Sequence, residues 1–273
     1  MSETSSQLNT PVASVEDVLL HTRDDRGVHT LTLNQPTAFN VLSVAMLDAL
    51  QGALSAIAAD KDARVVVLGA AGKAFCAGHN LKEMIARPEL EAYQTLFARC
   101  SKVMLAIAAL PVPVVARVQG IATAAGCQLV AQCDLAVAVD TARFGVNGID
   151  VGLFCATPSV PLSRCVPRKV AMEMLMTGQF ISAQEALAHG LVNRVCGADE
   201  LDAAVENLVS AMLAKPAEAL AMGKQLFYQQ VETGLAAAYQ LAGQTMACNM
   251  MLPVAQEGVR AFTEKRAPAW RKV

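Results

Sequence analysis

The stretch Arg64-Val65-Val66-Val67-Leu68-Gly69 has no polar alternation, so a strand built from it must be covered on both faces. Two further segments, Pro113 to Val118 and Leu135 to Val139, share that character, and helical stretches from Leu90 to Leu110 and from Thr123 to Gln132 lie between them. Strands and helices alternating at these lengths call for right-handed crossovers and parallel pairing. The chain therefore reads as an α/β fold built on one repeated architecture. Hydrophobic residues make up 54% of its 273 positions but aromatics only 4%, so the core is packed mainly from Ala, Val, Leu and Met.

The flanks fit this frame. Val18 to Thr22 and Val28 to Leu33 read as a hairpin around Asp24-Asp25-Arg26-Gly27. Ser43 caps a helix that aligns Met46, Leu50, Leu54 and Ile57 on one face, Ser182 and Glu185 form a capping box, Gly190 sits at a helix end, and Leu191 to Val195 returns as a strand. From Asp199 the pattern becomes all helical, with segments Leu201 to Lys215, Ala217 to Gln230, Leu235 to Met251 and Val254 to Lys265 broken at Pro216, Gly234 and Pro253. The expected organisation is a disordered tail over 1–15, a core over 16–198 and a C-terminal helical region over 199–273. Met246, Met250 and Met251 favour burial there, in the core or at a subunit contact.

Two small-residue turns carry the chemistry. Ala77-Gly78-His79 and the run Gly120 to Gly126 each follow an interior strand and open a helix, where backbone N–H groups lack intrahelical acceptors. Two such groups converging from separate loops can hold a developing oxyanion, or the turns can be simple strand–helix contacts. Other partners are excluded on charge and pattern. A net charge of −2 without a long basic block argues against nucleic acid, and no apolar stretch suits a membrane span. The eight cysteines lack metal-ligand spacing, so no metal is expected; as reduced residues in a chain whose first residues lack a leader pattern, they suggest a cytoplasmic protein.

Several motifs occur together and in order: Asn34-Gln35-Pro36 with Ala38-Phe39-Asn40; Gly72-Lys73-Ala74-Phe75-Cys76-Ala77-Gly78-His79-Asn80-Leu81-Lys82-Glu83; Val118-Gln119-Gly120 through Cys133-Asp134; Phe144 to Gly152; Gly178 to Leu191; and Glu257-Gly258 to Lys265-Arg266. On these, from Val18 to Arg266, the chain resembles the crotonase, or enoyl-CoA hydratase/isomerase, family. Gly152-Leu153-Phe154-Cys155 to Arg168-Lys169-Val170-Ala171 resembles its "domain-containing protein 3" subgroup most. The resemblance implies a ClpP-like spiral of ββα units with a C-terminal helical region, assembly into homotrimers or dimers of trimers, and an acyl-CoA ligand whose coenzyme A is part of the substrate rather than a tightly bound cofactor.

Carried over residue by residue, the resemblance makes the backbone N–H groups of His79 and Ala125 the oxyanion donors. It places Ala38, Lys73, Ala77, His79 and Leu81 along the coenzyme, with Ala77 by the adenine. Phe262 and Lys265 would approach the acyl or pantetheine portion and the phosphates, often from a neighbouring subunit, and Lys82 and Arg87 are further charge partners. Of the two catalytic glutamates of hydratases, the first aligns with Gln128, which can position water but not transfer a proton, and the second with Gly148, a vacant position. The acid/base position of dienoyl-CoA isomerases aligns with Ala156. Replacement candidates are the His79 side chain, which could titrate near neutrality, Asp150 as a weak acid or base, Glu83, and Cys127 or Cys155 as nucleophiles. The implied function is an enoyl-CoA hydratase lacking both family glutamates; another oxyanion-hole reaction, double-bond isomerisation or thioester hydrolysis, and a non-catalytic acyl-CoA-binding or scaffold role stand beside it.

Overall fold

In the computed structural model, residues 18–270 are described; the tail expected over 1–15 lies outside them. The hairpin forms as β1 (Leu19–Arg23) and β2 (Val28–Leu33), paired antiparallel. Ser43 accepts a hydrogen bond from the Met46 N–H and so caps α1 (Val44–Ala59), which turns Met46, Leu47, Leu50, Leu54 and Ile57 into the core. A cap of this kind contributes about 1 kcal/mol.

Three strand pairs then follow, each leading to helix. β3 (Val65–Ala70) is buried at every position and leads to β4 (Ala74–Cys76), the short α2 (Leu81–Ala86) and the long α3 (Leu90–Ala109). β5 (Val114–Val118) leads to β6 (Ile121–Thr123) and α4 (Ala125–Gln132), and β7 (Leu135–Val139) to β8 (Arg143–Gly145) and α5 (Ala156–Cys165). The chain continues through α6 (Arg168–Thr177), β9 (Ile181–Ser182), α7 (Ala183–His189) and β10 (Arg194–Cys196). The larger sheet has the order β1-β2-β3-β5-β7-β10, parallel from β2 onward. The smaller has the order β4-β6-β8-β9, with the first three strands parallel. This is an α/β fold of repeated ββα units, as the resemblance implies.

The second sheet is what the sequence reading lacked. Its strands are two or three residues long, too short to show a period. For the same reason the helix expected from Thr123 begins at Ala125, because Ile121 to Thr123 pair as β6. The strand expected over Leu191 to Val195 starts later, at Arg194: the Leu191 and Val192 N–H groups both donate to the Ala186 carbonyl and close the end of α7 instead. The capping box of Ser182 and Glu185 forms as expected.

Four helices close the chain, α8 (Leu201–Leu213), α9 (Ala217–Gln230), α10 (Leu235–Met251) and α11 (Pro253–Thr263), with breaks at the expected proline and glycine positions. α8 buries Leu201, Val205 and Val209, whereas α9 and α10 bury no residue. α9 is nevertheless pinned to the core: Lys224 Nζ donates to Asp134 Oδ2 at 2.6 Å and to the carbonyls of Ile107 and Val112, and Tyr228 Oη donates to Asp134 Oδ1 at 2.8 Å. Among the described residues no helix is long and apolar enough to cross a membrane.

Candidate active site

The C-terminal ends of β4, β6 and β8, three parallel neighbours, release the three loops of the site. After Cys76 the chain turns through Ala77, Gly78 and His79. This turn is held from the side: the Ala77 N–H donates to the Phe39 carbonyl at 3.0 Å, and the Leu42 N–H donates to the Gly78 carbonyl at 2.7 Å. Fully buried Asn40 fixes that supporting segment, with Nδ2 donating to the Ala71 and Ala74 carbonyls and Oδ1 accepting from the Gln35 N–H, each at 2.8 Å. Asn80 then caps α2 by accepting from the Lys82 N–H.

The second turn, after Thr123, is strained. Ala124 has φ 50° and ψ −120°, a region costing a non-glycine residue about 1–3 kcal/mol, and its N–H is tied to the Gly145 carbonyl at 2.9 Å. The two turns touch. A Cβ on Gly78, whose φ is +89°, would lie 2.9 Å from Ala124 Cβ and 3.3 Å from Ala125 N, and one on Gly126 would lie 2.1 Å from the Cys76 carbonyl oxygen. Only glycine permits this approach. The N–H groups of His79 and of Ala125, the first residue of α4, have no acceptor among the described residues.

Both residues line a cleft of about 290 Å³, with Met84, Phe97 and Leu153 among its apolar walls and Thr123, Asn147 and Cys155 as polar members. Its lining contains no Asp, Glu, Lys or Arg. The His79 imidazole stands edge-on to Phe97, ring centroids 5.4 Å apart, and its Nε2 is buried without a partner. Burial pushes its pKa down to about 4, so the ring is neutral at physiological pH. That corrects the expectation of titration near neutrality.

The proton-handling candidates disperse. Gln128 is only 3% exposed and does not line the cleft; its Oε1 faces the Cys100 thiol at 4.0 Å. Gly148 lines the cleft and leaves no room for a side chain: a Cβ there would lie 2.3 Å from the Leu153 carbonyl oxygen and 2.9 Å from Cys155 Sγ. Asp150 is exposed and lies against Gly178 at the end of α6, outside the cleft, which removes it as an acid or base on a ligand there. Glu83 is committed to helix ends, accepting from the Val44 N–H and from Asn80 Nδ2, both at 3.1 Å. Burial raises both candidate thiols, Cys127 to about 12, which corrects the nucleophile expectation.

The coenzyme candidates divide into two groups. Ala77, His79 and Leu81 line the cleft, and exposed Ala38 lies one residue before Phe39, which holds the Ala77 turn. Lys73, Lys82 and Arg87 are exposed outside the cleft lining. Phe262, 84% exposed, and Lys265 lie at the end of α11 and are not brought to the cleft of their own chain. Ala156, exposed at the start of α5, also lines the cleft but offers no acid or base. Among the described residues no group of three or more His, Cys, Asp or Glu side chains could hold a metal ion. Sequence reasoning missed Phe97 and the hydrogen bond from Thr123 Oγ1 to Asn147 Oδ1, 2.5 Å long. Only the position of Asn147 directly before Gly148 hinted at the latter.

The model of the "Enoyl-CoA hydratase/isomerase" family matches residues 23–273. The chain is 44% identical over 255 residues, covering 93% of it and 85% of the relative, to "Enoyl-CoA hydratase domain-containing protein 3, mitochondrial" of Rattus norvegicus. It superposes with TM-score 0.92 and 63% identity on an enoyl-CoA hydratase of Mycobacterium smegmatis, covering 93% of this chain and 99% of that one. On human enoyl Coenzyme A hydratase domain-containing protein 3 the TM-score is 0.88 at 44% identity, covering 93% and 100%. The mitochondrial naming of the rat protein overturns the cytoplasmic expectation. Reduced cysteines do not distinguish one reducing compartment from another, and the early residues used for that reading lie outside the described ones.

Proposed function

Because the chain belongs to the enoyl-CoA hydratase/isomerase family, we propose that its cleft binds an acyl-CoA thioester and supports enoyl-CoA hydratase-type chemistry through an oxyanion hole made by the His79 and Ala125 N–H groups. The observation that carries this reading is the contact of Gly78 with Ala124 and Ala125, which brings two acceptor-free N–H groups together at an apolar cleft. When water adds across a conjugated enoyl thioester, its oxygen bonds to C3 and C2 gains a proton, while the carbonyl oxygen carries the negative charge between. Two preorganised donors stabilise that charge, each by about 3 kcal/mol.

Water activation has no carboxylate in this cleft, so turnover is expected to be slow. Cleft lining without Asp or Glu favours a second reading, acyl-CoA binding without turnover. One experiment decides: titrate crotonyl-CoA calorimetrically and follow loss of the conjugated-enoyl absorbance on the same sample. Binding with slow, saturable turnover supports the hydratase reading, binding without turnover the second, and failure to bind any CoA thioester overturns both.

We also propose a homotrimer, or a dimer of trimers, assembled through the C-terminal helices. Leu235, Tyr239, Met246, Met251 and Phe262 are all more than 70% exposed in the single chain, an apolar surface that assembly would cover. Assembly would also supply Phe262 and Lys265 to a neighbour's coenzyme.

A further inference from the structure

The edge strand of the larger sheet, β1, is tied to the end of α1 by a chain of side chains that the site chemistry leaves unused. His21 on β1 and His29 on β2 place Nε2 and Nδ1 2.9 Å apart, and His29 Nε2 lies 3.0 Å from Oδ2 of Asp60, the C-terminal cap of α1. The same Oδ2 accepts from Arg23 Nε at 2.9 Å, and Oδ1 accepts from the Asp62 N–H at 2.9 Å. His29 is only 4% exposed, whereas His21 reaches the surface. The chain therefore runs from a surface imidazole through a buried one to a carboxylate.

Asp60 fixes which atoms carry hydrogen. A carboxylate only accepts, so His29 Nε2 is protonated; in the neutral ring Nδ1 is then bare and accepts from His21 Nε2–H. One further proton fits this arrangement, because either ring can become the cation while the two facing nitrogens still share a single hydrogen, with Asp60 as counter-charge. A second does not fit. Both facing nitrogens would then carry hydrogen, the bond would become a contact between two donors, and two cations would stand with ring centroids 5.2 Å apart.

No other charged group on the neighbouring elements relieves that conflict. β1 packs on β2 and α1. Besides His21, β1 carries only Arg23, already on Asp60, and β2 carries only His29. The one titratable side chain within α1, Asp48, is bonded to Arg99. Asp24 and Arg26 at the hairpin turn bond each other, and of Lys61 and Asp62 after the cap it is the Asp62 backbone that meets Asp60.

We infer that His21, His29 and Asp60 form a proton-counting latch between β1 and α1, which holds with none or one extra proton on the histidine pair and opens on the second, releasing His21 and loosening the edge strand. The latch is independent of what the cleft binds. Burial, and then the neighbouring His29, hold the His21 pKa below the usual histidine value, so the second proton enters only in acid. The unfolded chain binds more protons in that range, so the contribution of the latch is complete above about pH 6.5 and is lost as pH falls through the lowered His21 value. Asp60 stays ionised meanwhile, its carboxyl held below the usual range by the Asp62 N–H, His29 and Arg23.

The test is hydrogen exchange of the β1 amides in the full-length protein between pH 7 and pH 5, each rate divided by its intrinsic value at that pH and compared with β3. Losing one net hydrogen bond corresponds to about fivefold, so β1 protection is expected to fall at least about fivefold relative to β3. In His21→Gln, which keeps a donor for His29 Nδ1 but takes up no proton, the ratio should stay within about twofold. A ratio independent of pH in the unmodified protein, or one that falls equally in His21→Gln, overturns the latch. If His21→Gln fails to fold, ring NMR of the unmodified protein decides: His21 and His29 titrating in two separated, coupled steps support the inference, and independent titration of the two rings overturns it.

Discussion

At the scale of single residues, the aligned positions of the missing glutamates mislead unless the backbone around them is known. The family resemblance implies that Gln128 and Gly148 stand where hydratases carry carboxylates. It does not show that Gly148 is packed against the Leu153 carbonyl and Cys155, because close approach of a carbonyl leaves no mark on composition. Gly148→Glu is therefore expected to destabilise the protein by about 2 kcal/mol or more, and to give no gain in hydratase rate. Urea unfolding and the enoyl absorbance assay check the two halves; a stable, faster variant would contradict the packing account.

His79 has a different signature. Its folded-state pKa of about 4 lies below the usual histidine value of about 6.5, so the unfolded chain binds more protons between those limits. Its contribution to stability is complete above about pH 6.5 and is lost as pH falls toward 4. His79→Phe keeps the backbone N–H and should remove part of that slope. Unfolding free energies measured across pH 4 to 7 would show it, and an unchanged slope would mean that the ring is solvated.

At the scale of elements, the interior strands and the helices were legible because their periods run over enough residues to register. Val65 to Leu68 and the buried face of α1 are examples. β4, β6 and β8 were not, and these are the strands whose ends launch the site loops. The turns themselves could be read as small-residue turns, yet their contact depends on pairing within that second sheet. Gly78→Ala probes it directly. The substitution forces a side chain onto φ +89° and puts its Cβ 2.9 Å from Ala124 Cβ. Expected effects are a loss of about 2 kcal/mol, several degrees in Tm, and at least tenfold weaker thioester turnover or binding. A variant with wild-type stability and affinity would show that the turns need not touch.

For the whole molecule, the C-terminal helices present the largest discrepancy between sequence character and single-chain environment. Met246 and Met251 were expected to be buried, in the core or at a subunit contact; Met246 is 72% and Met251 74% exposed in the single chain. The ion pair of Lys224 with Asp134 ties α9 to the core but leaves Met246 and Met251 of α10 uncovered. On the trimer proposal, Met246→Asp with Met251→Asp should yield single chains by light scattering, with acyl-CoA affinity reduced through loss of the neighbour's Phe262 and Lys265. A double variant that keeps the parent mass would remove this surface from the assembly.

The central claim is the proposed hold of the His79 and Ala125 N–H groups on a thioester carbonyl. Isotope-edited infrared spectroscopy of bound crotonyl-CoA carrying ¹³C at C1 observes that carbonyl without requiring turnover. The account predicts a carbonyl band shifted to lower frequency on binding, with the shift reduced in Gly78→Ala. A bound ligand whose carbonyl band stays at its free-solution frequency would contradict it.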